Sequence, residues 1–346
     1  MSEQANDYAI IIGLNHYPTF GAQGRPLAGA IEDATRFKSW LTDPNVGGGL
    51  PEANCQLLCS TPDRPWPKRE AVDEALHFVW RSAKSKGGGR RLYLYFSGHG
   101  QARRRDDVAM CLPHWSAEFR HAALSSDAYR EMLLRCGPFA ELIVLLDCCR
   151  IRSIDAAGGA SELGCATAVA DSGAKRSLIA FASEFQSAAM EAESAGGVGA
   201  TGEGPIVRGH FTEALLQALY GGAANTAGGV LANELKRYLE NNVPRIAAAH
   251  GHTQHAHVII EFPEDAQPVL GAASPQANTC IKFSSTRSGV IALEGERLKV
   301  IREGDAADGP WQLGLPVGLY RLVERDTGSE SYVRIAGTDG MTHVTF

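Results

Sequence analysis

No apolar run in the chain approaches the roughly 20 residues that a membrane-crossing helix needs. The first residues also lack the apolar core of a signal peptide. The sequence therefore predicts a cytoplasmic protein with no membrane partner. Positive charge is in short supply: 33 Lys and Arg stand against 39 Asp and Glu, for a net charge of −6. With no basic stripe, nucleic acid is excluded as the main partner. The eight cysteines show no metal-site spacing at Cys55, Cys59, Cys111, Cys136, Cys165 or Cys280. Without a secretory signal they read as free thiols, most of them packing residues. Gly87-Gly88-Gly89 lacks the Lys-Ser/Thr of a phosphate loop and reads as a helix-to-strand turn. His250, His252, His255 and His257 match no zinc pattern. Surface or strand-edge places suit them, and neither metal nor cofactor is expected.

Hydrophobic residues make up 44% of the 346 positions, ample for one or two domains with a real core. Residues 8–12, 92–96 and 142–146 are near-continuous apolar runs, the pattern of parallel strands covered on both faces. Between them, Leu27, Ile31, Ala34, Phe37 and Leu41 recur at helical spacing, as do Val72, Leu76, Val79 and Ala83. Strand alternating with helix predicts an α/β sheet with right-handed crossovers, whose ligands bind beyond the carboxyl ends of the strands.

Two reactive side chains fall at such ends. Ser97-Gly98-His99-Gly100 follows the second run, and Asp147-Cys148-Cys149-Arg150 follows the third, fifty residues on. A cysteine attacks only as thiolate, so its proton must be taken by a nearby base. Pleating turns Asp147 and Cys149 to one side and Cys148 to the other. The side carrying both acid and thiol is the better candidate for an open cleft. Cys148 then packs as a small hydrophobe.

These residues resemble the caspase-like cysteine proteases, and among them the metacaspase and bacterial orthocaspase branch. The strand-then-His-Gly and strand-then-Asp-x-Cys elements carry the likeness, with the histidine about 50 residues ahead of the cysteine as in caspases. Ile11-Ile12-Gly13-Leu14-Asn15, the stretch 27–34, Ala182-Ser183 with 186–191, and Gly209-His210-Phe211-Thr212 with Leu215 extend it over roughly residues 7–262. The resemblance implies a mostly parallel sheet sandwiched by helices. It also implies that Cys149 attacks the scissile carbonyl, that His99 serves as base and acid, and that the Gly100 and Cys149 N–H groups form the oxyanion hole. Asp33 matches a metacaspase position lining the first substrate pocket. With Asp147 it predicts cleavage after Arg, and less well after Lys, since buried carboxylates want a cation and arginine's fork offers two bonds. The plainer alternative has Asp33 capping its helix and Asp147 anchoring a loop. Calcium, an activator of some metacaspases, has a weak candidate site at Asp106-Asp107, without EF-hand spacing.

Residues 151–176 and 192–209 are rich in Gly, Ala and Ser and read as exposed loops. Family loops in these places carry activation cleavage, so Arg152, Lys175, Arg176 and Arg208 are candidate processing sites, cut by the enzyme itself or by an upstream protease. After a Pro/Ala-rich linker at 263–276, short alternating runs at 280–283, 289–293, 298–302, 318–324 and 332–335 predict a small β-sandwich over 277–346, following a protease domain at 1–262. The expected function is limited proteolysis at exposed Arg or Lys sites of proteins. The family's habits suggest a bacterial defence, signalling or cell-death pathway with gasdermin-like targets. A silent caspase-like scaffold or binding module is one alternative, opposed by the intact His99 and Cys149. An Asp-specific caspase is another, opposed by Asp147.

Overall fold

A computed structural model describes residues 3–21, 24–44, 47–153, 156–163, 176–198, 205–225, 228–272, 279–285, 287–295, 298, 300–315, 318–335 and 342–346. In chain order the first elements are β1 (Asp7–Gly13), α1 (Ala30–Thr42), β2 (Cys55–Cys59), α2 (Arg69–Ser85) and β3 (Gly89–Ser97). Next come β4 (Gly100–Arg104), β5 (Asp107–Cys111), β6 (Ala123–Ser125), α3 (Ser126–Cys136), β7 (Phe139–Asp147) and β8 (Arg176–Phe181). A hairpin of β9 (Glu191–Val198) and β10 (Pro205–Gly209) leads to α4 (His210–Gln217), β11 (Gly229–Leu231), α5 (Ala232–Ala249), β12 (His257–Glu261) and β13 (Val269–Ala272). The chain divides into two compact units, Met1–Leu216 with Leu239–Gln267 and Gln217–Tyr238 with Pro268–Phe346.

The first unit holds a six-stranded sheet in the order β12-β8-β7-β3-β1-β2. Every pairing is parallel except β12 with β8. All seven residues of β1 are buried, as its unbroken apolar run predicts for a strand covered on both faces. Alternation then sorts the side chains. Ile10, Ile12, Leu94, Phe96, Val144 and Leu146 join one cluster with Val72, Leu76 and Val79 of α2. Odd-numbered Tyr93 and Tyr95 point the other way and meet Phe37 of α1 at ring-centroid distances of 6.4 and 4.7 Å.

On α1 the buried stripe is Ala30, Asp33, Ala34, Phe37, Trp40 and Leu41, a helical repeat with one acid in it. Burying Phe37 alone contributes about 1.5–3 kcal/mol. The helix lies close because Gly13 ends β1: a Cβ there would stand 2.5 Å from Ala34 Cβ and 2.7 Å from the Ala30 carbonyl oxygen. Asn15 then clamps the helix start, donating to the Ala28 carbonyl and accepting from the Ile31 amide. Together these contacts carry Asp33 to the carboxyl ends of β1, β3 and β7.

The opposite rim of the sheet is electrically settled. Asp7 is paired with Arg90, and Glu141 accepts Arg91 at 2.7 Å. No helix among the described residues is long and apolar enough to cross a membrane. Cys136 is disulfide-bonded, which corrects the expectation of free thiols throughout; Cys55, Cys59, Cys111, Cys148, Cys149 and Cys280 are free.

The second unit pairs β11 with β13 and adds two sheets. The one ordered β17-β14-β20 uses β14 (Thr279–Lys282), β17 (Trp311–Leu313) and β20 (Thr342–Thr345). The other, ordered β16-β15-β18-β19, uses β15 (Val290–Glu294), β16 (Val300–Asp305), β18 (Gly318–Glu324) and β19 (Glu330–Ile335). Ile281, Ile291, Leu293, Trp311, Leu322, Val333 and Phe346 form their shared core, as alternating strands dictate. Sequence patterning shows five of these strands and not β17 or β20.

Candidate active site

Register joins what the sequence separates. Ser97 is the pairing partner of Asp147, so His99 and Cys149 each lie two residues past the end of neighbouring parallel strands. Such strands run about 4.8 Å apart. Both residues line one cavity of about 110 Å³, together with Asp33, Asp147, Glu191 and Gly209. Cys149 is half-buried, whereas Cys148 is 2% exposed. Cys148 belongs to the apolar cluster beneath α2, as pleating predicts.

The His99 ring nitrogen Nε2 lies 2.8 Å from the Arg25 carbonyl oxygen. A carbonyl only accepts, so Nε2 carries the proton and the lone pair of the neutral ring sits on Nδ1. Burial holds this imidazole below its ordinary pKa, against the raising influence of the Arg25 carbonyl. Burial likewise pushes the Cys149 thiol up, eased by the Ala189 backbone. Sγ of Cys149 donates to the Ala189 carbonyl at 3.4 Å and accepts from the Ala189 amide at 3.3 Å. Both shifts favour thiol with neutral imidazole over a preformed ion pair.

Gly100 opens β4 beside Cys149. A Cβ on it would stand 2.6 Å from the Cys149 carbonyl oxygen and 2.7 Å from Cys148 Sγ. Any side chain there displaces the loop that carries Cys149.

Three carboxylates complete the cavity. Asp33 and Asp147 are 2% and 7% exposed. Oδ2 of Asp33 accepts the Gly209 amide at 2.8 Å, while Oδ1 is buried and has no hydrogen-bond partner. Oδ2 of Asp147 accepts the Thr212 amide at 3.1 Å and the Thr212 hydroxyl at 2.6 Å. Burial raises Asp147 to about 6, against the lowering by Thr212. It raises Asp33 well above the carboxylate range, with Asp147 adding repulsion. Gly209 is the hinge between them: a Cβ on it would lie 2.4 Å from Asp147 Oδ2 and 3.0 Å from Asp33 Oδ2. Glu191, the cross-strand partner of Gly209, accepts the Ala28 and Gly29 amides at 3.0 and 2.9 Å. Sequence reading placed Glu191 only at the edge of a family-like segment. No local pattern marks it, because its partners lie about 160 residues away.

The plainer reading of the acids fits poorly. Asp33 is the fourth residue of α1 and does not cap it; the N-cap, Gly29, has no side chain to do so. Asp147 does accept from Thr212, yet no ion pair among the described residues reaches Asp33, Asp147 or Glu191.

The remaining sequence candidates scatter. Arg152 bridges to Ala102, Arg176 begins β8 opposite Glu141, and Arg208 pairs with Ala192 in the hairpin. Lys175 lies outside the described residues. Oδ1 of Asp107 accepts from the Ser125 hydroxyl and the Asp127 amide, so that oxygen serves the start of α3. Among the described residues no group of three or more His, Cys, Asp or Glu is arranged to hold a metal. His250 and His252 gather instead around buried His210, at ring-centroid distances of 5.1 and 5.2 Å. His250 and His255 are exposed and His257 begins the edge strand β12, as expected for surface or strand-edge histidines; no spacing rule shows the packing against His210, which lies some 40 residues earlier.

Two comparisons bear on this arrangement. A probable protease from a Desulfuromonadales bacterium is 30% identical over 156 residues, which is 42% of this chain and 18% of that protein. The chain thus spans less than a fifth of that relative's length. The family model of the caspase domain, a peptidase family, matches residues 6–258. With that match covering most of the chain, and with its sheet, histidine and cysteine in place, the protein belongs to the caspase peptidase family.

Proposed function

We propose that the protein is a cysteine endopeptidase that cleaves after basic residues, arginine before lysine. One observation carries the specificity: two buried carboxylates without a counter-ion, one of them with an oxygen that meets no donor, share a cavity with His99 and Cys149. An acid left so is costly unless a cation completes it. At the far rim of the same sheet the acids already have arginines. Arginine's planar fork suits paired carboxylates better than the point charge of lysine, and Glu191 keeps lone pairs for a third contact. A substrate aspartate would meet carboxyl groups and no cation among the described residues of this cavity.

In this reading Cys149 Sγ bonds to the scissile carbonyl carbon while its proton passes to Nδ1 of His99. The oxyanion is held by the Gly100 and Cys149 amides. His99 then hands the proton to the leaving amine nitrogen as the C–N bond breaks. Water, deprotonated by His99, hydrolyses the thioester and returns the thiol. We further propose limited proteolysis of protein partners in a bacterial defence, signalling or cell-death setting, which rests on family resemblance alone. The test is a peptide-library digest by wild type and Cys149→Ala, read by mass spectrometry. Cuts after Arg, fewer after Lys, and none by the variant are expected. Equal cutting after Asp, or activity surviving in the variant, would refute the proposal.

A further inference from the structure

We propose that Phe20, anchored through Thr19, is a positioning residue for the His99 imidazole; the inference rests on the proteolytic reading above. A single hydrogen bond from Nε2 to a carbonyl leaves the ring free to swing about that axis, and no carboxylate among the described residues is hydrogen-bonded to it. Packing supplies the missing restraint. The imidazole lies 4.6 Å from the Tyr17 ring at 58° and 4.6 Å from the Phe20 ring at 33°. Tyr17 and Phe20 stand nearly perpendicular, at 85°, so they limit the imidazole in two directions. Phe20 in turn lies 4.5 Å from Trp115 at 31°, which extends the stack from His99 through Phe20 to Trp115.

The two rings are held differently. Tyr17 is buried, and its hydroxyl accepts the His99 amide and donates to the Cys111 carbonyl. Phe20 sits on a surface loop and is only partly buried. What fixes that loop is Thr19, whose hydroxyl is within 3.2 Å of the Pro113 carbonyl and 3.0 Å of the Trp115 carbonyl. The same loop carries the Arg25 carbonyl, tied back by the Arg25 amide to the Tyr17 carbonyl at 3.3 Å. Phe20 therefore fixes the plane of the ring while Arg25 fixes its tilt. Phe20 is absent from the cavity lining, so it acts on the base and not on the substrate's side chain. Its ring also keeps water from the imidazole, in line with the lowered basicity of His99.

The test compares Phe20→Ala, Phe20→Tyr and wild type. Phe20→Ala should lower kcat by about tenfold or more with KM nearly unchanged, as loss of orientation does. Phe20→Tyr should restore it. In the Cys149→Ala background, NMR titration of His99 should show its midpoint rising toward the ordinary histidine value in Phe20→Ala and not in Phe20→Tyr. Thr19→Val, which deletes no ring but frees the loop that carries Phe20, should move both readouts the same way by less, and serves if Phe20→Ala does not fold. Folded variants whose kcat and His99 titration match wild type would overturn the proposal. The titration needs no turnover, so failure of the proteolytic reading shows separately, as a wild type inert toward every peptide.

Discussion

Asparagine at position 147 removes a charge while keeping an oxygen for the two Thr212 donors. Asp147 sits at about 6 in the folded chain against an ordinary 3.8, mainly through burial. A group whose folded pKa is raised contributes stability that is present below its unfolded pKa and lost as pH climbs through the folded value. At about 1.36 kcal/mol per unit, that difference amounts to on the order of 3 kcal/mol lost between about pH 4 and pH 7. Asn cannot ionise, so Asp147→Asn should match wild type near pH 4 and melt higher at pH 8. Roughly 2–4 °C per kcal/mol for domains of this order sets an upper bound of about 12 °C. The same variant should lose cleavage after arginine, a case of stability given up for function. Calorimetric melting at pH 4, 6 and 8 checks this. If the gap between variant and wild type does not widen with pH, or if the variant is less stable at pH 8, then Asp147 is ionised and paired, and the empty cation site is an error.

Other outcomes follow from the same geometry. Gly209→Ala forces a methyl to within 2.4 Å of Asp147 Oδ2; KM for arginine peptides should rise by about tenfold or more while Cys149 still reacts with iodoacetamide, and an unchanged KM would show the hinge to be tolerant. Because an arginine substrate needs Asp147 ionised, KM for such peptides should climb as pH falls through about 6; a flat KM from pH 5 to 8 would oppose the pocket assignment. Phe37→Ala, which empties the stack against Tyr95, should cost about 3–5 kcal/mol in urea unfolding; a loss under 1 kcal/mol would mean that α1 is not seated by that ring.

Much of the site is legible before folding because its signals are local. An unbroken apolar strand followed by Gly-His-Gly, and another followed by Asp-Cys-Cys, each announce a reactive residue at a strand end. The acid at position 33 also falls in the buried stripe of its helix, a mark of helical spacing. Other features depend on contacts between distant stretches. Glu191 reaches Gly29 across 162 residues, and Phe20 meets Trp115 across two loops. His210 finds His252 only after α4 and α5 are placed. The disulfide at Cys136 is hidden from the sequence for a related reason: spacing gives no pairing without distance.

By itself the chain's order of residues determined which strands are central, where the imidazole and the thiol stand, and which of two adjacent cysteines faces the cleft, since period-two and helical repeats act over a few residues. Only the tertiary structure decided that Asp33 and Asp147 share one cavity beside Gly209 with Glu191 in its lining, and that the rings of Tyr17 and Phe20 pack against His99. Burial and register there come from strands and loops brought together through space, and no stretch of sequence encodes that juxtaposition alone.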